Sequence, residues 1–231
     1  MAVKNIMITG AAGGLGRPVT QKFLDEGYHV HAIIAPDDDP DFMKHERLDI
    51  HSADLMLEDE AGNTVRKIID AAGRIDGAVL LVGGFSTGTL QETNLKDVEK
   101  MYRLNFVTAY NTARPVFVHM EKENIGGQII LVGARPGLTP RAAAGMVSYA
   151  MSKSLIFRLS EIINEAGKEN KITSSVIVPS IIATAGNRKS MPTADHSKWV
   201  TPEEIAENIF HLFSPAGSKL RESVLKVYGE S

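Results

Sequence analysis

The sequence predicts a single-domain α/β fold, in which helices flank a doubly wound, parallel sheet of seven strands. Short apolar runs typical of buried strands alternate with amphipathic stretches along residues 1–231. Strands separated by helices need crossover connections, which are right-handed in nearly all proteins. No linker, repeat or low-complexity segment interrupts this alternation, and 231 residues are enough to bury one large core.

Seven apolar runs have the length and composition of strands. The first leads into a glycine-rich turn, and glycine, proline or polar residues separate the others. Their predicted bounds are Val3–Thr9, Tyr28–Ile34, Glu46–Ile50, Ala78–Val82, Gln128–Val132, Ile172–Val178 and Ser223–Tyr228.

The intervening stretches repeat apolar residues at helical spacing. In the second stretch Val65, Ile68 and Ile69 share one face, and in the third we expect Pro115 to bend the helix. The predicted helices are Gly14–Glu26, 58–72, Leu95–Lys122, Val147–Ala166 and Pro202–Phe213. Residues 183–201 are predicted to form a loop with a possible short helix. Because a long loop beyond a strand's carboxyl end can close over a ligand, this loop is a candidate substrate lid.

Composition and charge exclude several classes of function. The net charge is −3 with no basic run, which argues against nucleic acid or anionic membrane as a partner. The chain has no cysteine, so disulfides, thiolate nucleophiles and cysteine-ligated metals are excluded. Met1–Ile6 enters a strand without a signal-peptide pattern, and no apolar run is long enough to span a bilayer. We therefore expect a soluble cytoplasmic protein.

A glycine-rich turn, Thr9–Gly16, links the first strand to the first helix. Glycines let a backbone approach a pyrophosphate, and a helix N-terminus offers N–H groups and a positive dipole end. The turn therefore predicts a dinucleotide site, although a tight turn made for packing is the alternative. Its candidate binding residues are Gly10, Gly13, Gly14, Leu15 and Gly16.

The end of the second strand should contact the adenosine ribose. Spacing places this position at Ile34 or Ala35, which are uncharged, and Asp37, Asp38 and Asp39 follow. Acidic side chains repel a 2′-phosphate, and the sequence shows no arginine nearby. This argument favours NAD, with Asp37 as the candidate residue, and leaves NADP open. A solvated acidic loop is the alternative interpretation.

Tyr149 and Lys153 lie four residues apart in a predicted helix, about 140 residues after the glycine turn. This spacing places both side chains on one helix face. A neighbouring ammonium stabilises tyrosinate and is expected to lower the pKa of Tyr149 toward neutrality. The pair therefore predicts a proton-transferring tyrosine, and an ordinary helix-surface pair is the alternative.

These elements together resemble the short-chain dehydrogenase/reductase family over essentially the whole chain. The resemblance implies a Rossmann-type fold, with Tyr149 as proton donor, Lys153 bound to the nicotinamide ribose and Asn105 holding a relay water. It also implies homodimers or homotetramers formed through the helices 95–122 and 147–166. Further residues implied to bind the dinucleotide are Asp49, Ile50, Val82, Gly83, Gly84, Pro179, Ile182 and Thr184.

The chain departs from the family pattern at several places. Ala134 stands where the family has its catalytic serine; Ser148 points elsewhere on its helix, and Thr139 is an untested substitute. Similar departures occur in the dihydropteridine reductase branch, which this chain resembles at Val82–Phe85 and at Asn187–Asp195, with Trp199 following. That branch reduces quinonoid dihydropterin with NADH.

The leading hypothesis is thus an NAD(P)H-dependent reductase acting on a small molecule, with quinonoid dihydropterin as the best candidate substrate. A carbonyl or 3-oxoacyl reductase is the second hypothesis, and a catalytically silent dinucleotide sensor is the third. The seven histidines show no His-x-x-x-His spacing, although His29 and His31 share one strand face. The sequence therefore predicts no metal site.

Overall fold

The computed structural model describes residues 3–230, and its centre is one sheet of seven parallel strands. Residues Met1, Ala2 and Ser231, at the ends of the predicted domain, lie outside the described part. The strands are β1 Asn5–Thr9, β2 His29–Ile34, β3 Leu48–Ser52, β4 Gly77–Leu80, β5 Gly127–Val132, β6 Ile172–Pro179 and β7 Val224–Val227. Their spatial order, β3-β2-β1-β4-β5-β6-β7, confirms the predicted doubly wound sheet.

Helices cover both faces of the sheet. They are α1 Gly16–Asp25, α2 Glu58–Ala72, α3 Leu95–Tyr102, α4 Thr108–Lys122, α5 Pro140–Ala143, α6 Val147–Ala166, α7 Ala185–Ser190 and α8 Pro202–Phe213. The bounds of α2, α6 and α8 match the prediction. A five-residue π segment, Arg103–Val107, joins α3 to α4, so the predicted helix Leu95–Lys122 is continuous. The departure from α-helical hydrogen bonding lies at this segment, and helical structure continues through Pro115.

Alternating side chains of the strands feed two separate cores. In β1, Met7 faces the core formed with α2, α4 and α6, whereas Ile6 and Ile8 face the core formed with α1 and α8. This alternation follows from the two-residue period of a strand. All three side chains are fully buried. Burial on both faces explains why the strands are apolar runs and not alternating patterns.

The observed strand bounds differ from the prediction by one or two residues, and the differences at β3 and β4 affect the candidate site. β3 runs two residues later than predicted, because Leu48 pairs with Val30 and Ser52 with Ile34. β4 ends at Leu80, because the N–H of Leu81 donates to Thr9 Oγ1 at 3.1 Å instead of continuing the ladder. That contact ties the end of β4 to the glycine turn, and the shift of β3 moves Asp49 into the first half of its strand.

The predicted loop 183–201 contains the short helix α7 and one 3₁₀ turn, His196–Lys198. Thr184 begins α7 by accepting a hydrogen bond from the N–H of Asn187. A bridge between Ile182 and Val200 joins the two ends of the segment. No helix within residues 3–230 is both long and apolar enough to cross a bilayer.

Candidate active site

The glycine turn has the close-packed geometry that its sequence predicts. Gly10 adopts φ of +65°, which side chains rarely tolerate. A Cβ at Gly16 would overlap the carbonyl oxygen of Gly10, so only glycine fits there. The N–H of Gly13 donates to that same carbonyl at 3.0 Å. The turn therefore presents backbone atoms without covering side chains at the start of α1.

The N-terminus of α1 is open to an anion. Leu15 occupies the N-cap position, and no side chain caps the helix there. The turn faces the segment after β6, since a Cβ at Gly14 would approach Thr184 Cγ2 within 2.9 Å. Uncapped N–H groups, a positive dipole end and a cradle free of side chains fit a pyrophosphate. The residues present are therefore compatible with a bound dinucleotide.

Asp49 and Ile50 do not lie at this end of the sheet. Asp49 pairs with His31, near the start of both strands, while the glycine turn follows the end of β1. Ile50 is likewise two residues before the end of β3. The N–H of Ala53 donates to the carbonyl of Ile34, at the edge where ligands bind in this architecture.

Asp54 and Leu55, and not Asp49 and Ile50, lie at the carboxyl edge of the sheet. They directly follow β3, beyond Ala53, and Leu55 is buried. The Asp54 carboxylate accepts a hydrogen bond from the N–H of Met56 at 2.9 Å. The sequence analysis missed this pair because it placed the strand two residues too early. The pairing register of β3 with β2 identifies Asp54 and Leu55 as the residues at this edge.

The acidic loop after β2 has a basic neighbour that the sequence analysis did not identify. Asp37, Asp38 and Asp39 are exposed, and the Asp38 carboxylate accepts from the N–H of Ala35 at 3.0 Å. Arg17, from the first turn of α1, donates to the carbonyl of Phe42 at 2.9 Å and lies 5.1 Å from its ring centroid. Arg17 therefore reaches this loop at Phe42, a contact that the sequence did not indicate. Arg17 and Phe42 are 25 residues apart in sequence and come into contact only in the folded chain.

Tyr149 lies in the first turn of α6 beside an exposed aromatic ring. Its ring and that of Phe85 meet edge to face, with centroids 5.1 Å apart, and Phe85 is 61% exposed. Burial raises the pKa of Tyr149 to about 12, because the phenolate loses hydration. The predicted lowering of this pKa by Lys153 is thus not found in this structure. The hydroxyl is protonated at neutral pH, as a proton donor requires.

Lys153 follows Tyr149 by one helical turn and is 5% exposed. Its ammonium donates to the carbonyl of Val132, at the end of β5, over 2.8 Å. Burial lowers the pKa of Lys153 to about 8, so its charge is retained at neutral pH at a free-energy cost. The hydrogen bond to Val132 ties α6 to the end of the sheet.

Asn105 is buried in the π segment, where its side chain clamps two other elements. Its Oδ1 accepts from the N–H of Gly84 at 2.9 Å, and its Nδ2 donates to Ser152 Oγ at 3.0 Å. The Ser152 hydroxyl in turn donates to the carbonyl of Tyr149 at 2.8 Å. π segments inside α-helices occur frequently at functional sites. The structure therefore gives the Asn105 side chain a positioning role and adds Ser152, which the sequence analysis missed.

The segment after β4 brings bare backbone to these residues. A Cβ at Gly83 would lie 2.7 Å from Asn105 Oδ1 and 3.2 Å from Lys153 Nζ. Val82 approaches Gly10 from the neighbouring strand, with its backbone nitrogen 3.3 Å from the Cβ position there. Val82, Gly83 and Gly84 therefore lie between the glycine turn and the Tyr149 group.

The segment after β6 reaches the same edge of the sheet. Pro179 ends β6 and is buried, and the carbonyl of Ile182 accepts hydrogen bonds from the N–H of Thr184 and from Asn187 Nδ2, both at 2.8 Å. Thr184 also lies against Gly14. Ile182 and Thr184 are thus near the glycine turn, as the resemblance implies.

The site has no serine at the family's usual position. Ala134 is buried after β5, and Thr139 is exposed with its hydroxyl directed to the carbonyl of Arg135 at 3.4 Å. A different hydroxyl pair lies beside Phe85 and Tyr149, where Ser86 and Ser148 share a hydrogen bond of 2.9 Å. The sequence analysis dismissed Ser148 from helix geometry and did not consider Ser86. The adjacency of Ser86 to Phe85 and of Ser148 to Tyr149 in the sequence is the signal that could have identified this pair.

A sequence profile described as short chain dehydrogenase matches residues 4–195 of this chain. A protein named dihydropteridine reductase from Dictyostelium discoideum is 28% identical over 224 residues, covering 94% of this chain and 90% of that protein. A protein from Thermotoga maritima named 3-oxoacyl-acyl-carrier-protein reductase FabG is 24% identical over 240 residues, covering 98% of this chain and 96% of that protein.

Solved structures have the same fold. One, described as ElxO with NADP bound, superposes with a TM-score of 0.88 at 23% sequence identity. The match covers 99% of this chain and 98% of that one. An identity this low supports the shared fold and leaves the substrate and the cofactor preference of this chain to its own residues.

Proposed function

Because this chain belongs to the short chain dehydrogenase family and is an NAD(P)-dependent oxidoreductase, we propose that it reduces a quinonoid dihydropterin, with Tyr149 as the proton donor. The observation on which this substrate rests is the exposed Phe85 ring at the edge of Tyr149, in a site that lacks the family's serine. A planar heterocycle can pack on such a ring. Trp199, the other aromatic candidate from the sequence, is buried against His196 and presents no comparable face.

The absence of the serine is compatible with this substrate. A ketone needs a hydrogen bond to its oxygen as negative charge develops there. A quinonoid dihydropterin is already electrophilic, so it needs less polarisation. Ala134 offers no donor, and its methyl group keeps that wall of the site apolar. Ser86 and Ser148, whose hydroxyls share a hydrogen bond, are the sequence neighbours of Phe85 and Tyr149, and we propose the Ser86 hydroxyl as the group that contacts a ring substituent.

The proposed chemistry assigns each residue one task. When bound, a reduced nicotinamide supplies the hydride. Tyr149 gives its hydroxyl proton to the substrate, which its raised pKa permits because the group remains protonated at neutral pH. We assign Lys153 to the nicotinamide ribose; with its ammonium on the carbonyl of Val132, it does not lower the pKa of Tyr149 in the cofactor-free protein. Asn105 and Ser152 hold the first turn of α6 against the π segment, so that Tyr149 keeps its position.

We further propose that NADH is the preferred cofactor. Asp37, Asp38 and Asp39 are exposed at the end of β2, where the adenosine ribose is expected. Their charges oppose a 2′-phosphate. Arg17 is engaged with the carbonyls of Ala12 and Phe42, both at 2.9 Å, which reduces its capacity to offset them. If NADPH is instead preferred, Arg17→Ala should abolish that preference.

The experiment measures consumption of NADH, and separately of NADPH, with quinonoid dihydropterin generated in situ. Tyr149→Phe is the test variant, and Tyr28→Phe, in the core formed with α1 and α8, is the matched control. Rapid turnover that only Tyr149→Phe abolishes supports the proposal. Turnover that survives in Tyr149→Phe would remove the tyrosine from the mechanism.

Two other functions remain as alternatives. Turnover of 3-oxoacyl thioesters in place of dihydropterin would favour the second hypothesis, for which the Thermotoga relative is the precedent. Cofactor binding without turnover of either class would favour a dinucleotide sensor. The retention of Tyr149 beside Lys153 argues against a sensor, because dinucleotide binding alone needs no proton donor.

Further proposals concern the number of subunits, the role of residues 183–201 and the cellular location of the protein. The exposed faces of α4 and α6 show apolar side chains suited to contact between subunits, among them Tyr110, Val118, Leu155 and Ile162. We propose a homodimer or homotetramer that uses these helices. We also propose that the chain is one domain, that residues 183–201 close over the substrate, and that the protein is cytoplasmic. Light scattering on the purified protein tests the number of subunits.

A further inference from the structure

Two histidines and an aspartate meet at the start of β2 and β3, away from the glycine turn. His29 and His31 lie on one face of β2 because they are two residues apart, and their rings stack with centroids 5.0 Å apart. Asp49 pairs with His31 in the adjacent strand. Its Oδ2 lies 2.8 Å from His29 Nε2 and 3.5 Å from His31 Nδ1. Three potential ligand atoms thus converge within 4.8 Å of one another.

The buried member of this group has an unused nitrogen. His31 is 3% exposed, and its Nε2 lies 3.3 Å from Asn5 Oδ1. With the Asn5 amide oxygen facing Nε2, the matching tautomer of His31 has its proton on Nε2 and a lone pair on Nδ1. Nδ1 has no hydrogen-bond partner among the described residues, although it faces the Asp49 carboxylate. Two electron-pair donors therefore face each other with no proton between them.

We propose that His29, His31 and Asp49 form a binding site for one divalent transition metal ion, with Zn²⁺ as the best fit. Two imidazole nitrogens and one carboxylate oxygen form a donor set that suits Zn²⁺ and its neighbours in the first transition series. A cation between His31 Nδ1 and the Asp49 carboxylate forms one bond to each, in place of the repulsion between their lone pairs.

The surroundings match those of a metal-ligating histidine. Such a ring usually donates its second N–H to a carbonyl or carboxylate that fixes its orientation, and Asn5 Oδ1 does this for His31. His29 and Asp49 have side chains 30% and 54% exposed, which lets an ion and one or two waters reach the site.

This site is independent of the proposed reduction. It lies at the amino ends of the strands, whereas the glycine turn and Tyr149 lie at the carboxyl ends. Its ligands belong to β2 and the edge strand β3, so an ion would join the edge of the sheet to its neighbour. Because the chain has no cysteine, thiolates cannot compete for the metal.

Metal binding can be tested directly on untagged protein freed of metals with EDTA. Calorimetric titration with ZnCl₂ should show one equivalent bound, and Co²⁺ should give the visible absorption of a low-symmetry nitrogen and oxygen site. Mg²⁺ in excess should not displace Zn²⁺, because it prefers oxygen ligands. Added Zn²⁺ should also raise the temperature of thermal unfolding.

Substitutions separate this site from adventitious binding by other histidines. His29→Gln and Asp49→Asn remove one partly exposed ligand each and should abolish the stoichiometric binding, while His211→Gln, on the exposed side of α8, should preserve it. Asn5→Ala should weaken binding about 10- to 100-fold without removing a ligand. Unfolding without metal checks that each variant is folded. Wild-type protein that binds no Zn²⁺, or variants that bind it as tightly as wild type, would overturn the proposal.

Discussion

Lys153→Met should make the cofactor-free protein more stable while it abolishes turnover. In the folded state the Lys153 ammonium is 5% exposed, with one hydrogen bond, to Val132, and burial lowers its pKa from 10.5 to about 8. That difference corresponds to about 3 kcal/mol at neutral pH. Loss of the hydrogen bond offsets about 1 kcal/mol of this gain. We therefore expect a net stabilisation of about 2 kcal/mol at pH 7.

The pH dependence of the free energy of unfolding provides a separate test of the sign of this stability difference. Between pH 8 and 10.5 the unfolded lysine binds a proton that the folded lysine has released, so the stability of wild type rises with pH across this window. Lys153→Met has no such group. Its advantage over wild type should therefore be largest below pH 8 and should disappear near pH 10.

Urea unfolding of wild type and Lys153→Met at pH 7, 8.5 and 10 measures this difference. Lys100→Met, which replaces an exposed lysine on α3, is the matched control and should change stability by less than about 0.5 kcal/mol. A Lys153→Met variant that is less stable than wild type at pH 7, or a gap that does not change with pH, would refute the reasoning. Either result would mean that the ammonium is not desolvated in the folded protein.

Three further substitutions test the site. Gly16→Ala should weaken cofactor binding at least tenfold in a calorimetric titration, because its Cβ would overlap the carbonyl of Gly10 and displace the turn. Asn105→Ala should cost about 1–3 kcal/mol in urea unfolding and lower kcat, because it leaves the Ser152 hydroxyl and a backbone N–H without their partner. Phe85→Ala should raise KM for a planar substrate by up to about tenfold with little change in unfolding, because the lost ring contact contributes about 0.5–1.5 kcal/mol.

Matched controls separate these effects from general damage. Gly62→Ala places a Cβ in open space inside α2 and should stabilise the protein by about 0.5–1 kcal/mol without affecting cofactor binding. Wild-type affinity in Gly16→Ala would mean that the turn adjusts without cost. An unchanged free energy of unfolding in Asn105→Ala would show that the clamp is weak. An unchanged KM in Phe85→Ala would remove the ring from the substrate site.

Local patterns predicted the fold well because each depends on neighbouring residues only. The period of the apolar residues identified α2, α6 and α8 with their observed bounds, since helical spacing and local end signals, such as Gly73 after α2 and Thr201 before α8, lie in or next to each segment. The π segment was not predicted; it contains Asn105, whose side chain contacts Ser152, a residue 47 positions away in sequence.

The sequence by itself determined the α/β class, the strand and helix order, the glycine turn and the spacing of Tyr149 and Lys153, because these follow from local periodicity and from residue types with special chemistry. Only the tertiary structure decided which distant residues meet, as with Asp54 in place of Asp49 at the ligand edge and Arg17 beside the acidic loop. It also decided that the pKa of Tyr149 is raised and not lowered. Strand register and burial set these features, and both depend on how the packed layers align. The same alignment joined Asp49 to two histidines, a group that no spacing in the sequence indicated.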